Sequence, residues 1–147
     1  VVDYAHTPEA LQNVLLAARK IVGANAQVII VFGCGGGRDQ SKRPKMGDIA
    51  TQFADLVYIT SDNPRHEDAR TIAEEVLQGV SNVASVLSKV TIELDRRLAI
   101  SAAFGSAKPG DIVIIAGKGH EATQTIGVEE IPFSDVQVSR ELLKAAS

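Results

Sequence analysis

The segment QVIIVFGCGGGRDQSKRP, Gln27–Pro44, joins three unlike pieces of chain. Gln27–Phe32 is a continuous β-branched run, the pattern of a strand buried on both faces, as in a parallel sheet. Four glycines, at 33, 35, 36 and 37, then interrupt it. Pro44 opens a helix with Met46, Ile49, Ala50 and Phe53 on one side. Strand, loop and helix in that order form the repeating unit of an α/β protein.

The unit recurs on either side. Thr7-Pro8 is an N-cap followed by a first-turn proline. Leu11, Val14, Leu15 and Ala18 then mark one helical face. Leu56–Thr60 is the next expected strand, and Ile72, Val76, Leu77 and Val80 mark the helix after it. A short strand is expected at Ala84–Leu87 and a helix at Leu94–Ala107, before the turn KPGD (108–111) and the strand IVIIAG (112–117). TQTIGVEEIPF (123–133) alternates around Gly127 like a β-hairpin, and a last helix begins at Ser134 with Gln137 at capping-box spacing. The pattern predicts an α/β, Rossmann-like fold. Its sheet is mostly parallel and doubly wound, with helices on both faces and a C-terminal β-hairpin.

Composition narrows the function. Hydrophobic residues are 45% and charged residues 22% of 147, an ordinary globular balance. A net charge of −3 argues against general nucleic-acid or anionic-membrane binding. No run approaches the roughly 18 apolar residues of a membrane span. The single Cys34 excludes an internal disulfide and fits a reducing, cytoplasmic setting. The chain begins VVDYAHTP, without Met and as though a strand were already under way. Residues 1–147 are therefore expected to be one domain of a longer protein.

Ligands of doubly wound sheets bind where loops leave the carboxyl ends of the strands, which singles out four loops. In DYAHTP (3–8), Asp3 suits a sugar hydroxyl and His6 a phosphate, though taken alone the loop is better explained as a strand-to-helix turn with a Thr cap. In GCGGGRDQSKRP (33–44), glycines let backbone amides approach an anion while Arg38, Lys42 and Arg43 add positive charge. Arg38 stands where a dinucleotide fingerprint has its third glycine, and no Walker sequence occurs. In SDNPR (61–65), Asp62, Asn63 and Pro64 suit a turn, but Arg65 does not; its planar fork suits a carboxylate or phosphate, and a plain exposed charge is the equal alternative from this loop alone. In AGKGHEAT (116–123), Gly117 and Gly119 permit close approach, and Lys118, His120 and Glu121 supply both signs of charge. His6, His66 and His120 lie on separate loops, so no metal site is expected, nor a serine-based triad. Together, Arg38, Asn63, Arg65 and Glu121 suit a small zwitterion, with arginines on carboxylates and the glutamate on an ammonium group.

DYAHTPEAL, FGCGGGRDQSKRPKMG, SDNPRHED and AGKGHE, in this order and spacing, resemble the carboxy-terminal domain of the Mur ligases, over essentially the whole chain. The likeness is strongest to the branch that adds meso-diaminopimelate to a UDP-N-acetylmuramoyl-dipeptide. It implies upstream UDP-substrate and ATPase domains, with ATP and Mg2+ held mostly by the latter, and an acyl-phosphate intermediate. It further implies that Arg38, Asn63, Arg65, Gly117 and Glu121 bind diaminopimelate, and that Asp3, Tyr4 and His6 lie at the nucleotide. It places no catalytic residue in this chain and implies that the chain alone is inactive. Ala69 and Thr123 depart from the family's usual residues, at positions that carry none of these contacts. A sister ligase adding lysine, a folate-type ligase, and a nucleotide-binding module of another class are the alternative expectations.

Overall fold

A computed structural model describes residues 1–146. Five parallel strands form the main sheet: β1 (Val2–Asp3), β2 (Val28–Phe32), β3 (Leu56–Ile59), β4 (Val90–Ile92) and β5 (Ile112–Ala116). Their spatial order is β1-β5-β2-β3-β4. A two-stranded antiparallel sheet follows, β6 (Thr123–Ile126) with β7 (Glu129–Pro132). The expected architecture and hairpin are both present.

Every residue of β2 is buried, which requires cover on both faces. Val28, Ile30 and Phe32 point to a core shared with α1 (Pro8–Ile21), α2 (Lys42–Phe53) and α3 (Ala69–Leu77). The helical residues there are Leu11 and Leu15, Met46 and Ala50, and Ile72 and Val76. Ile29 and Val31 point the other way, to Ala99, Ile100 and Ala103 of α5 (Arg96–Ser106) and Val138 of α6 (Asp135–Ala146). The chain leaves β2 for α2 on the first face and β5 for α6 on the second. The carboxyl ends of these adjacent strands therefore open a crevice, as the topology rule requires.

Two expectations are corrected. Ala84–Leu87 is not a strand but a single helical turn, α4, closed by Ser88 N donating to Ala84 O at 3.0 Å. The strand is Val90–Ile92, where Val90 pairs with Val57 of β3 and turns towards the first core. The helix expected from Leu94 starts at Arg96, because the Asp95 carboxylate caps it by accepting from Leu98 N at 3.1 Å. At the last helix, Ser134 Oγ accepts from Gln137 N at 3.2 Å, so half of the capping box forms. The Gln137 side chain instead donates to Glu141.

Candidate functional site

A cleft of about 680 Å3 lies at the carboxyl edge, within the size range of small-molecule sites. Its lining includes Arg38, Asn63, Arg65, Gly117 and Glu121, so three sequence-distant loops meet there. Tyr4 and His6 line the same cleft, together with Lys42 and Lys45. Asp3 sits behind the lining, where its Oδ1 accepts from Ala5 N at 2.8 Å and shapes the first loop.

The glycine loop and the Arg65 loop interlock. Gly36 N donates to Asn63 O at 2.8 Å, and Arg65 Nη1 donates to Gly36 O at 2.7 Å. A Cβ on Gly36 would lie 1.8 Å from Pro64 O, so only glycine permits this approach. Arg38 projects from the exposed end of the loop, its Cγ 3.6 Å from where a Gly35 Cβ would stand.

Arg65 carries a second signature. Its φ of 55° is the one positive value at a non-glycine residue among those described. The hairpin holds it there: Arg65 N donates to Thr125 O at 3.0 Å and Gly127 N donates to Arg65 O at 2.5 Å. Gln124 Nε2 adds a bond to Asp62 O at 2.7 Å. The β-hairpin therefore clamps the loop that presents the guanidinium. Backbone held in this region for a non-glycine residue is a mark of functional sites.

The floor of the cleft is ionic. Lys118 is fully buried, its Nζ 3.0 Å from Asn63 Oδ1, 3.3 Å from Glu121 Oε1 and 3.7 Å from Asp62 Oδ1. Burial pushes the Asp62 carboxyl above its usual range, opposed by Arg96 and Lys118. The fourth loop closes on the first, with Gly117 N and Gly119 N both donating to Asp3 O, at 3.1 and 3.2 Å. Gly119 has φ 54°, and a Cβ there would stand only 3.1 Å from the Tyr4 side chain. Tyr4 and His6 stand exposed and edge to face, 4.9 Å between ring centroids. Lys42 Nζ donates to His6 O at 3.0 Å, joining the first two loops.

Two charged residues read from the sequence as loop cations behave otherwise. Arg43 does not reach the cleft: it is buried and neutralised by Glu67 and Glu75, at 2.8 and 2.5 Å. Lys118 is likewise internal. A third buried cation went unread: Arg96, on α5, pairs with Asp135 at 2.6 Å and donates to Ser61 O and Ala116 O. Its only sequence signal was an arginine at the start of a helix whose partner lies in another helix. Burial pushes the Cys34 thiol up to about 11, so it remains protonated at neutral pH. Among the described residues no three His, Cys, Asp or Glu gather as metal ligands. None of the described helices is long and apolar enough to cross a membrane.

Comparison with known proteins agrees with this architecture. The family model described as Mur ligase, glutamate ligase domain, matches residues 1–119. A Prochlorococcus marinus protein named UDP-N-acetylmuramoyl-L-alanyl-D-glutamate–2,6-diaminopimelate ligase is 50% identical over 143 residues, 97% of this chain and 27% of that protein. The Aquifex aeolicus protein of the same name is also 50% identical, over 97% of this chain and 28% of its own length. The chain thus spans under a third of these relatives. A solved structure of a ligase of that name superimposes with a TM-score of 0.91 at 44% identity, covering 99% of this chain and 29% of that one. A murein peptide ligase from Psychrobacter arcticus, 17% identical with a TM-score of 0.63 over 98% of this chain and 27% of its own, shares the fold. With its parallel sheet, four-loop cleft and match over most of its length, the chain belongs to the Mur ligase family, as its glutamate ligase domain.

Proposed function

We propose that this chain is the carboxy-terminal, amino-acid-binding domain of a three-domain ligase that adds meso-diaminopimelate to UDP-N-acetylmuramoyl-L-alanyl-D-glutamate. The observation that carries the reading is the meeting of Arg38, Arg65, Asn63 and Glu121 in one cleft. Half-identity to relatives bearing that name supports it.

Diaminopimelate has two amino-acid heads. One head would be anchored here, its carboxylate on Arg38, Arg65 and the Asn63 amide, its ammonium on Glu121 and the backbone at Gly117. The other head's amine would project from the cleft towards an activated carboxyl on the upstream domains. Lysine has an ammonium but no carboxylate at that end, so it would leave both guanidinium groups without an anion. Such a mismatch is rejected more strongly than a lost apolar contact.

In the same cleft, Tyr4, His6 and Lys42 suit the ribose and phosphates of ATP, with Asp3 behind them. ATP and Mg2+ would supply the acyl phosphate, and the residues that hold Mg2+ would lie mostly upstream. This domain contributes positioning, which becomes catalysis only when amine and acyl phosphate are aligned. The isolated chain should therefore bind without turning over.

The test compares diaminopimelate with lysine as substrates for the full-length enzyme, wild type and Arg65→Ala. Wild type should prefer diaminopimelate by on the order of a hundredfold or more, and the variant should lose most of that preference. Unchanged diaminopimelate use in Arg65→Ala would remove Arg65 from the site. A wild type preferring lysine would move the chain to the sister ligase.

A further inference from the structure

We propose that Lys118 is a positioning residue: its buried ammonium turns the Asn63 amide so that the cleft receives a hydrogen-bond donor, and so makes this corner a carboxylate subsite. The inference rests on the reading that the cleft takes diaminopimelate, and it assigns a task to a residue that does not touch the ligand.

Lys118 has no exposed surface and cannot reach into the cleft. Its Nζ lies 3.0 Å from Asn63 Oδ1. Thr125 N lies 2.9 Å from the same atom. An ammonium group and a backbone N–H are both donors, and the ammonium has no lone pair to offer. The end of the amide that meets them must therefore be its oxygen. Nδ2 then faces the other way, where Glu121 Oε1 accepts one of its hydrogens at 3.3 Å. The second hydrogen is left for a ligand carboxylate alongside Arg38 and Arg65. Reversed, the amide would set its oxygen against Glu121 and against any incoming carboxylate, while an NH2 group faced two donors.

Lys118 also acts on Glu121. It approaches Glu121 Oε1 at 3.3 Å, the oxygen already used by Asn63. That oxygen is committed to protein donors, and Oε2 is left to accept a ligand ammonium. One buried cation thus separates the two polarities of the site, a donor for the carboxylate and an acceptor for the ammonium. The arrangement extends to Arg65, because the Thr125 residue that shares Asn63 Oδ1 also holds the Arg65 backbone.

The test uses the full-length ligase as wild type, Lys118→Met, Asn63→Ala and the double variant, with KM measured separately for diaminopimelate, ATP and the UDP-linked precursor. Lys118→Met should raise KM for diaminopimelate by about tenfold to a hundredfold, the cost of a mispaired buried polar group, and move the other two constants by no more than about twofold. Because Lys118 acts chiefly through Asn63, its shorter contact, and only secondarily on Glu121, most of its effect should vanish in the Asn63→Ala background. An equal effect in both backgrounds overturns the proposal. So does a fall in kcat with every KM unchanged, which is the mark of mere scaffolding. Should Lys118→Met not fold, Lys118→Met/Asp62→Asn removes one buried charge of each sign and gives the same comparison when read against Asp62→Asn alone, since Asp62 also lines the cleft. A wild type that does not use diaminopimelate overturns the functional reading and this one together; a wild type that does, with KM unmoved by Lys118→Met, overturns the positioning role alone.

Discussion

Arg43 Nη2 lies 2.8 Å from Glu67 Oε2, and through this pair the glycine loop and the Arg65 loop become one body. Arg43 sits in the first turn of α2 and also donates to Gly35 O at 3.0 Å. Glu67, two residues beyond Arg65, in turn accepts from Gly37 N at 2.7 Å. The two arginines that line the cleft, Arg38 and Arg65, are thus set relative to each other by a third that does not line it. Bidentate pairs of this kind add geometric specificity as well as energy.

Acid should undo this clamp in a defined window. The Arg43 guanidinium, then the Gly37 amide, hold the Glu67 carboxyl down at about 2 from its usual 4.5. A carboxyl depressed in the folded state contributes stability that is fully present above its unfolded value and is lost as pH falls through the folded one. Urea midpoints of wild type and Glu67→Gln should therefore stand furthest apart above about pH 5 and converge towards about pH 2. Asp39, Asp111 and Glu141 are also depressed, but they titrate alike in both proteins, so the difference isolates Glu67. A gap that stays constant through this range would mean that Glu67 ionisation does not support the loops.

Gly36→Ala should damage the cleft without touching a ligand contact. Its Cβ would collide with Pro64 O, forcing apart the loops that carry Arg38 and Arg65. We expect KM for diaminopimelate to rise about tenfold or more in the full-length enzyme, since small misplacements of positioning groups are costly. Gly105→Ala is the control, because nothing lies within 4 Å of its Cβ and it sits exposed in α5. Ala should stabilise that helix by about 0.5–1 kcal/mol and leave KM alone.

At Arg65 the backbone and the side chain can be separated. A non-glycine residue in the left-handed region costs about 1 kcal/mol, and φ here is 55°. Arg65→Gly should therefore be more resistant to urea than Arg65→Ala by roughly 1 kcal/mol, while both lose diaminopimelate selectivity alike. Equal midpoints would show that the hairpin does not impose strain on this residue.

The sequence made the fold legible where every residue carried signal. Val28–Phe32 is buried throughout, and its apolar run could mean little else in an alternating α/β chain. Ala84–Leu87 misled because four residues hold too little periodicity to separate a helical turn from a strand, and β4 is only three residues long. The site was legible as loops and rim residues, since strand ends and turn chemistry are local. Its supporting ions were not. Arg43 meets a carboxylate 24 positions away, Lys118 an amide 55 away and Arg96 a carboxylate 39 away. A single charged residue in sequence reads as solvated, because nothing local announces a partner that only the tertiary fold supplies.

The Arg96–Asp135 pair gives the sharpest test of that buried layer. Both side chains are fully buried, and Arg96 Nε and Nη2 meet the two carboxylate oxygens at 2.7 and 2.6 Å. Arg96 also donates to Ser61 O at 2.9 Å, just after β3, and to Ala116 O at 3.1 Å, at the end of β5. It therefore fixes the roots of two cleft loops and anchors α6 beneath them. Asp135→Asn keeps the volume but strands a buried guanidinium, which should cost about 3–5 kcal/mol, read from urea unfolding. Asp135→Asn/Arg96→Met removes both charges and should recover a substantial part of that loss, because a buried ion pair costs nearly as much to desolvate as it returns. The recovered protein should still show a raised KM for diaminopimelate in the full-length enzyme, since Ser61 O and Ala116 O have lost their common donor. A double variant no more stable than Asp135→Asn would show that the damage comes from lost packing rather than from an unpaired charge.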